Sequence, residues 1–376
     1  MDKKSFFILC AIFCVLSFSV SATAALIPSI ASYFGSDYLL AGKLVWIYML
    51  AYGLFALLWG PLTRKFAVKK ILLTTLFLFS LSSFVVGSAP KLFFAFIGRL
   101  GMGVFGSCFT PLSLIIIGKE VKPESKPKYV GFLFSTSFMA SLSGVFLSGL
   151  LFWRFIYLIP SFLGGALLIY SLYFLKGFDY RGKFKISYFE TFKDKNVLTL
   201  FTFIILGSFF YHSIQQWLGV YLAKEYFFSQ FFISAVFTVS SLAAIFAENI
   251  GGFCASRFGS RNIAFWGLLS MAGFIAFLLN FRRPEAVFFI IVFWGLGWAF
   301  NHVGFSTLLT SLPDRFMRDA SSLNSSLRFF SGGLGAFYSG KVISLLGFRA
   351  DFLITGLFLC LLALFLKNRL KEVKHV

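Results

Sequence analysis

Charge is scarce in this sequence, and negative charge is scarcest: of 376 residues only 13% are charged, and 14 acids stand against 34 Lys and Arg. A soluble domain carries about 25% charged residues. Here 59% of residues are hydrophobic and the mean hydropathy is +0.87, which excludes an ordinary soluble protein. Cysteine is also sparse. Cys10, Cys14, Cys108, Cys254 and Cys360 all fall in apolar stretches, with no CxxC and no histidine at ligand spacing, so neither a disulfide framework nor a metal site is expected. No Walker loop or redox-cofactor motif occurs, which argues against ATP-driven pumping and against a bound cofactor. No HExxH or paired-aspartate cluster occurs either, which argues against a membrane enzyme. The longest charged loop is about twenty residues, leaving little room for the extra soluble domain of a sensor or scaffold. A net charge of +20 invites nucleic acid as a partner, but the cations lie in short runs between apolar stretches and form no soluble basic module.

What is present is a series of apolar runs, each about twenty residues long, the length that crosses a bilayer. Hydropathy places twelve spans at 5–29, 39–62, 71–89, 91–118, 128–152, 155–176, 196–223, 229–255, 262–281, 284–311, 320–346 and 349–367. Such segments are too long for barrel strands, and every backbone amide must be satisfied within lipid, so they are read as helices. The first run, with Ala22-Thr23-Ala24 near its end, also resembles a secretory leader; its length favours an uncleaved first span. With the N-terminus inside, 24 cations fall on cytoplasmic segments and 7 on external ones, which predicts both termini in the cytoplasm.

The hairpin "GPLTRKFAVKK" at 60–70 has an echo in "GFCASRFGSR" at 252–261, and Gly60 and Gly252 are 192 positions apart. "GMG" at 101–103 returns as "GLG" at 295–297, an offset of 194. Two six-helix halves follow: 1–176 and 196–376, joined by a charged linker at 177–195.

These motifs resemble the major facilitator superfamily along essentially the whole chain. The first hairpin is similar to that family's G-x-L-A-D-R-x-G-R-K loop. "RLGMG" from Arg99 resembles its fourth-helix R-x-x-Q-G, with Met102 in place of Gln. "GVFLSG" at 144–149, followed by "WRFIY", resembles the fifth-helix antiporter pattern through Gly144, Ser148 and Gly149. "DASSLNSSLRFFSGGLG" at 319–335 resembles an eleventh helix of the drug or sugar efflux branch. The resemblance implies an all-α membrane protein of twelve helices in two pseudo-symmetric bundles. It also implies alternating access around a central cavity, and proton-coupled efflux of a small organic solute by a monomer in a bacterial inner membrane. Arg64 stands where the family has its hairpin Asp, and Ser256 stands at the matching place in the second hairpin, so the family's acidic latch does not carry over. Gly60, Arg64, Lys65, Lys69, Gly252, Arg257, Gly259 and Arg261 are nevertheless the candidate gating residues. Asp319 is placed to cap the eleventh span, and Arg64 is read either as pairing with Asp319 or Asp314 in a latch of reversed polarity or as a topogenic cation alone.

Ionisable groups at membrane depth are functional candidates by default. Glu248 is read as the only acid inside a span and as the proton carrier, with Arg99 as its tuning cation or an anion holder. The first span offers only Ser17, Ser19, Ser21 and Thr23. His212, Gln215 and Gln216 share a face of span seven; Asn301 and His302 lie mid-span in ten; Asn324 and Arg328 lie in eleven. These are the expected cavity residues. The buried arginines keep open an alternative, a facilitator or importer of an anionic metabolite.

Overall fold

The computed structural model describes residues 1–180, 188, 192–281, 283–310, 312 and 314–369, without the side chains of 123, 127, 310 and 314–322. Among the described residues there are long helices and no strand. In chain order they are α1 (Lys3–Tyr33), α2 (Tyr38–Leu62), α3 (Val68–Ser88), α4 (Leu92–Glu120), α5 (Lys126–Ser148) and α6 (Phe155–Phe174). There follow α7 (Lys195–Glu225), α8 (Gln230–Phe258), α9 (Ser260–Asn280) and α10 (Pro284–Thr310). The final stretch, Asp314–Arg369, runs as one helix of 56 residues except at Gly347, whose φ of 82° and ψ of 169° are not helical. Only glycine takes such a φ without steric penalty. The break divides the stretch into α11 (314–346) and α12 (348–369), giving twelve spans among the described residues.

Local chemistry accounts for the ends and interruptions. Asp2 caps α1 by accepting the Ser5 N–H at 2.8 Å, which holds its carboxyl below the usual carboxylate range. Asp194 caps α7 through the N–H groups of Asn196 and Val197. α1 is interrupted at 18–21, within the serine-rich stretch "SFSVSATA". There Thr23 Oγ1 donates back to Ser19 O at 2.8 Å, a side-chain bond that competes with the helix ladder.

The chain forms two compact units, Met1–Ile186 and Ser187–Val376. Within the first, α1 packs on α5, α2 on α4, and α3 on both α4 and α6. The second repeats this: α8 packs on α10, α9 on α10 and α12, and α7 on α11. The repeat is visible atom by atom where backbones touch. A Cβ on Gly103 of α4 would strike Tyr48 O of α2, and 192 positions on, a Cβ on Gly295 would strike Ser240 O of α8. A Cβ on Gly144 of α5 would strike Phe18 O of α1, and 191 positions on, one on Gly335 would strike Phe209 O of α7. Small residues that let helices approach this closely are the usual glue of membrane bundles. The structural register is therefore 191–192, the offset of Gly60 and Gly252. Matching "GMG" to "GLG" at 194 is two residues out: Gly103 corresponds to Gly295, not Gly297.

The chain after α6 is not a free tether at its start. Leu175, Phe178 and Tyr180 are buried, the Val68 N–H donates to Phe178 O at 2.9 Å, and Tyr180 donates to Glu120 Oε1 at 3.0 Å. Residues 181–187 and 189–191 of the expected linker lie outside the described residues.

Candidate functional site

The second unit gathers most of the candidate polar groups. Glu248 lies ten residues before Phe258, the end of α8, so it sits about 15 Å along the helix from that end. Its Oε1 is 3.3 Å from His302 Nδ1 on α10, and the two side chains keep 24% and 33% of their surface exposed. Glu248 is also near enough to Arg328 of α11 for their charges to interact, as Arg328 is to His212 of α7. Arg328 is 7% exposed. Its Nε donates to Asn324 Oδ1 at 2.8 Å, its Cζ lies 5.8 Å from the Trp298 ring, and neither terminal nitrogen has a partner among the described residues.

Aromatic rings wall this cluster. Tyr211 stacks on Trp298 at 3.9 Å and on Trp294 at 5.0 Å, and His212 meets Trp298 edge-on at 5.8 Å. Trp298 and His302 stack loosely at 6.1 Å. The structure thus brings together Glu248, His302, His212, Asn324 and Arg328 around Trp298.

The remaining cavity candidates go elsewhere. Gln215 is held by Trp294, whose indole N–H donates to its Oε1 at 2.6 Å, and Gln216 is buried. Asn301, adjacent to His302 in sequence, is buried, with its side-chain amide beside Gly207 of α7 and its backbone against Gly267 of α9. Successive helical residues point about 100° apart, so Asn301 and His302 leave α10 in different directions.

In the first unit Arg99 is fully buried. Its Nε donates to Leu44 O of α2 at 2.8 Å and its Cζ lies 4.2 Å from the Tyr48 ring and 5.9 Å from the Tyr157 ring. Neither terminal nitrogen has a partner among the described residues. Tyr157 in turn meets Thr23 of α1 at 2.9 Å, so Arg99 stands where α1, α2, α4 and α6 converge. The repeat explains the asymmetry between the halves. Ser17 and Ser137 meet at 2.6 Å and Ser141 donates to Ser21 at 2.8 Å. At the equivalent places 191 positions on, Ser208 donates to Arg328 O at 2.7 Å, and His212 stands where Ser21 did. Charge was placed in one half on a scaffold that carries hydroxyls in the other.

The two basic hairpins share a structural duty. Lys69 Nζ donates to Leu172 O and Leu175 O at 3.2 and 2.6 Å, and 192 positions on, Arg261 donates to Lys367 O at 3.5 Å. Each cation sits on the negative C-terminal end of a helix, α6 or α12. Arg64, Lys65 and Arg257 are exposed, Gly60 accepts the Thr63 hydroxyl, Gly252 faces open space, and Gly259 takes a φ of 88° between α8 and α9. The side chain of Asp319 lies outside the described residues, and with it the Arg64 latch. In the fifth-helix motif, Gly144 is the α1 contact described above, Ser148 Oγ donates to Val145 O, and Gly149 ends α5. Lys341 is exposed and lies over the Phe337 ring.

One reading is corrected. Glu248 is not the only acid inside a span: Asp351 is 3% exposed in the first turn of α12, bonded to Ser339 Oγ at 2.6 Å. It falls inside the span expected at 349–367. The signal was the apolar run on both sides of the Arg-Ala-Asp triplet.

Comparison with known proteins agrees with this architecture. The Major Facilitator Superfamily model matches residues 8–336. The MFS-type transporter YuxJ of Bacillus subtilis (strain 168) is 26% identical over 321 residues, covering 79% of this chain and 80% of that protein. The MFS-type efflux pump MFS1 of Trichophyton rubrum is 29% identical over 133 residues, 34% of this chain and 25% of the pump. Among solved structures, a bacterial homolog to the human lysosomal transporter Spinster, inward-facing and occupied, superposes with a TM-score of 0.83 at 14% identity, over 98% of this chain and 97% of the other. A point mutant of the nucleoside transporter NupG gives 0.78 at 16% identity, over 97% and 100%. With the family model spanning most of its length, this chain belongs to the major facilitator superfamily and is an integral membrane transporter, not an enzyme.

Proposed function

We propose that the chain is a secondary transporter working by alternating access, exporting a small organic solute in exchange for a proton. The observation that carries this reading is the Glu248–His302 pair at 3.3 Å, partly open to solvent and within the field of Arg328. A carboxylate and an imidazole at membrane depth can exchange one proton, and a neighbouring cation makes the protonated and deprotonated states differ in what else they bind. In this reading Glu248 takes the proton and His302 shares it. Arg328, with Asn324 and the Trp298 ring, meets the solute, and Arg99 of the other half tunes the proton or holds an anion through its terminal nitrogens. The hydroxyl-only face of α1 leaves the coupling to the second unit. Export is favoured by the likeness to efflux pumps such as that of Trichophyton rubrum. The cation distribution supports cytoplasmic termini, and the Bacillus relative supports a bacterial inner membrane.

A second reading, an anion facilitator or importer, is favoured by a separate observation: the terminal nitrogens of both Arg99 and Arg328 have no acceptor among the described residues. Such donors suit a bidentate carboxylate or phosphate. A flux screen of small organic solutes in proteoliposomes, with and without an imposed pH gradient, separates the two. Export coupling predicts uphill solute movement that a protonophore abolishes; the second reading predicts downhill flux of anions alone, indifferent to the protonophore.

A further inference from the structure

Asp351 takes no part in the mechanism above, and its hydrogen bonds pose a counting problem. It lies in the first turn of α12, buried against α7 and α11. Ser339 Oγ of α11 is 2.6 Å from Asp351 Oδ2 and also 3.0 Å from Ser213 O of α7. A hydroxyl carries one hydrogen and a backbone carbonyl carries none. If the carboxyl were ionised, two acceptors would compete for a single proton. If the carboxyl brings its own proton, the chain closes: Asp351 donates to Ser339 Oγ, and Ser339 donates to Ser213 O.

The surroundings favour the neutral form. Among the described residues no cation pairs with Asp351. Arg349, on its own helix, is exposed, and Lys341 of α11 is exposed over the Phe337 ring. From α7, Trp217 directs its indole N–H to Ala336 O, Tyr221 lays its ring against Phe348 and Phe352, and Tyr211 and His212 turn to Trp298. From α9, the neighbour of Gly356, five residues beyond Asp351, is Ile275. Among the described residues Ser339 Oγ is the one side-chain group bonded to the Asp351 carboxyl, and burying a carboxylate with so few partners is costly.

We propose that Asp351 is a second proton-binding site, separate from the Glu248–His302 pair, whose proton completes a hydrogen-bonded chain tying α12 through α11 to α7. Loss of that proton leaves Ser339 able to serve only one neighbour, so the three helices are joined in the protonated state and released in the ionised one. Nothing in this depends on which solute is carried or whether Glu248 is the coupling group.

Infrared spectroscopy of the full-length protein in detergent, which resolves the carbonyl stretch of protonated carboxyl groups, tests it. Near neutral pH the band is expected in the wild type and in Glu248→Gln, absent in Asp351→Asn, and shifted in frequency in Ser339→Ala, which loses the hydroxyl partner. Asp351→Asn keeps an N–H donor for Ser339, so its melting temperature is expected to match the wild type in mild acid and to stay level as the pH is raised, while that of the wild type falls. Identical carboxyl spectra in wild type and Asp351→Asn would overturn the proposal. Should Asp351→Asn fail to fold, a band left unmoved by Ser339→Ala would overturn it equally.

Discussion

Gly144→Ala and Gly335→Ala are each expected to remove most of the folded protein, by separating the helix pair on which each half is built. In both cases the added methyl would overlap a backbone carbonyl oxygen, Phe18 O or Phe209 O, which cannot swing aside as a side chain could. The helices must move apart, losing the packing that holds them in lipid, where no hydrophobic effect draws them together. Overpacking of this kind costs about 1–3 kcal/mol or more, a large share of the stability of a single domain. The same change at Gly165 or Gly252, where nothing lies within 4 Å, is expected to be neutral or mildly stabilising, since alanine is the better helix former. Yield and melting temperature of the four variants in detergent read this directly. The two positions 191 residues apart should fall together and the two controls should not.

Arg99→Met is expected to do the reverse: to leave the melting temperature unchanged or raised while transport falls at least tenfold. The guanidinium is fully buried, makes one hydrogen bond to Leu44 O, and is otherwise faced by the Tyr48 and Tyr157 rings, with no acid paired to it among the described residues. Cation–π contacts return only part of the cost of burying that charge. Replacing buried ionic groups by apolar side chains of similar volume is often neutral or stabilising by about 1–4 kcal/mol. An expensive charge that does not stabilise is retained for what it binds. A fall in melting temperature with undiminished transport per folded molecule would show that Arg99 is structural, a pin between α2 and α4.

The spans were legible in the sequence because lipid allows few alternatives: an apolar run of twenty residues has only the helix open to it. Finer features depend on contacts that no linear pattern encodes. Glu248 and His302 are 54 positions apart and become partners only because α8 packs on α10. Asn301 is adjacent to His302 in sequence, yet its amide lies beside Gly207 of α7. The repeat was detected at the hairpins, but its register in α4 and α10 is set by which glycine meets a carbonyl, and a three-residue motif could not choose between Gly295 and Gly297. Asp351 falls inside the span expected at 349–367, but its partner Ser339 lies on the preceding helix. The hairpin cations were read as gating residues, and Lys69 and Arg261 also bond the ends of helices α6 and α12, a contact visible only once those helices are placed.

In the proposed function Glu248 and His302 hold the transported proton. The direct test is proton flux in proteoliposomes, followed with an internal pH dye during movement of a solute identified by the flux screen, for wild type, Glu248→Gln and His302→Gln. Glu248→Gln should abolish solute-linked proton flux and uphill transport while keeping downhill exchange, and His302→Gln should shift the pH at which transport is half-maximal. Full solute-linked proton movement in Glu248→Gln would contradict the account and remove Glu248 from the coupling path.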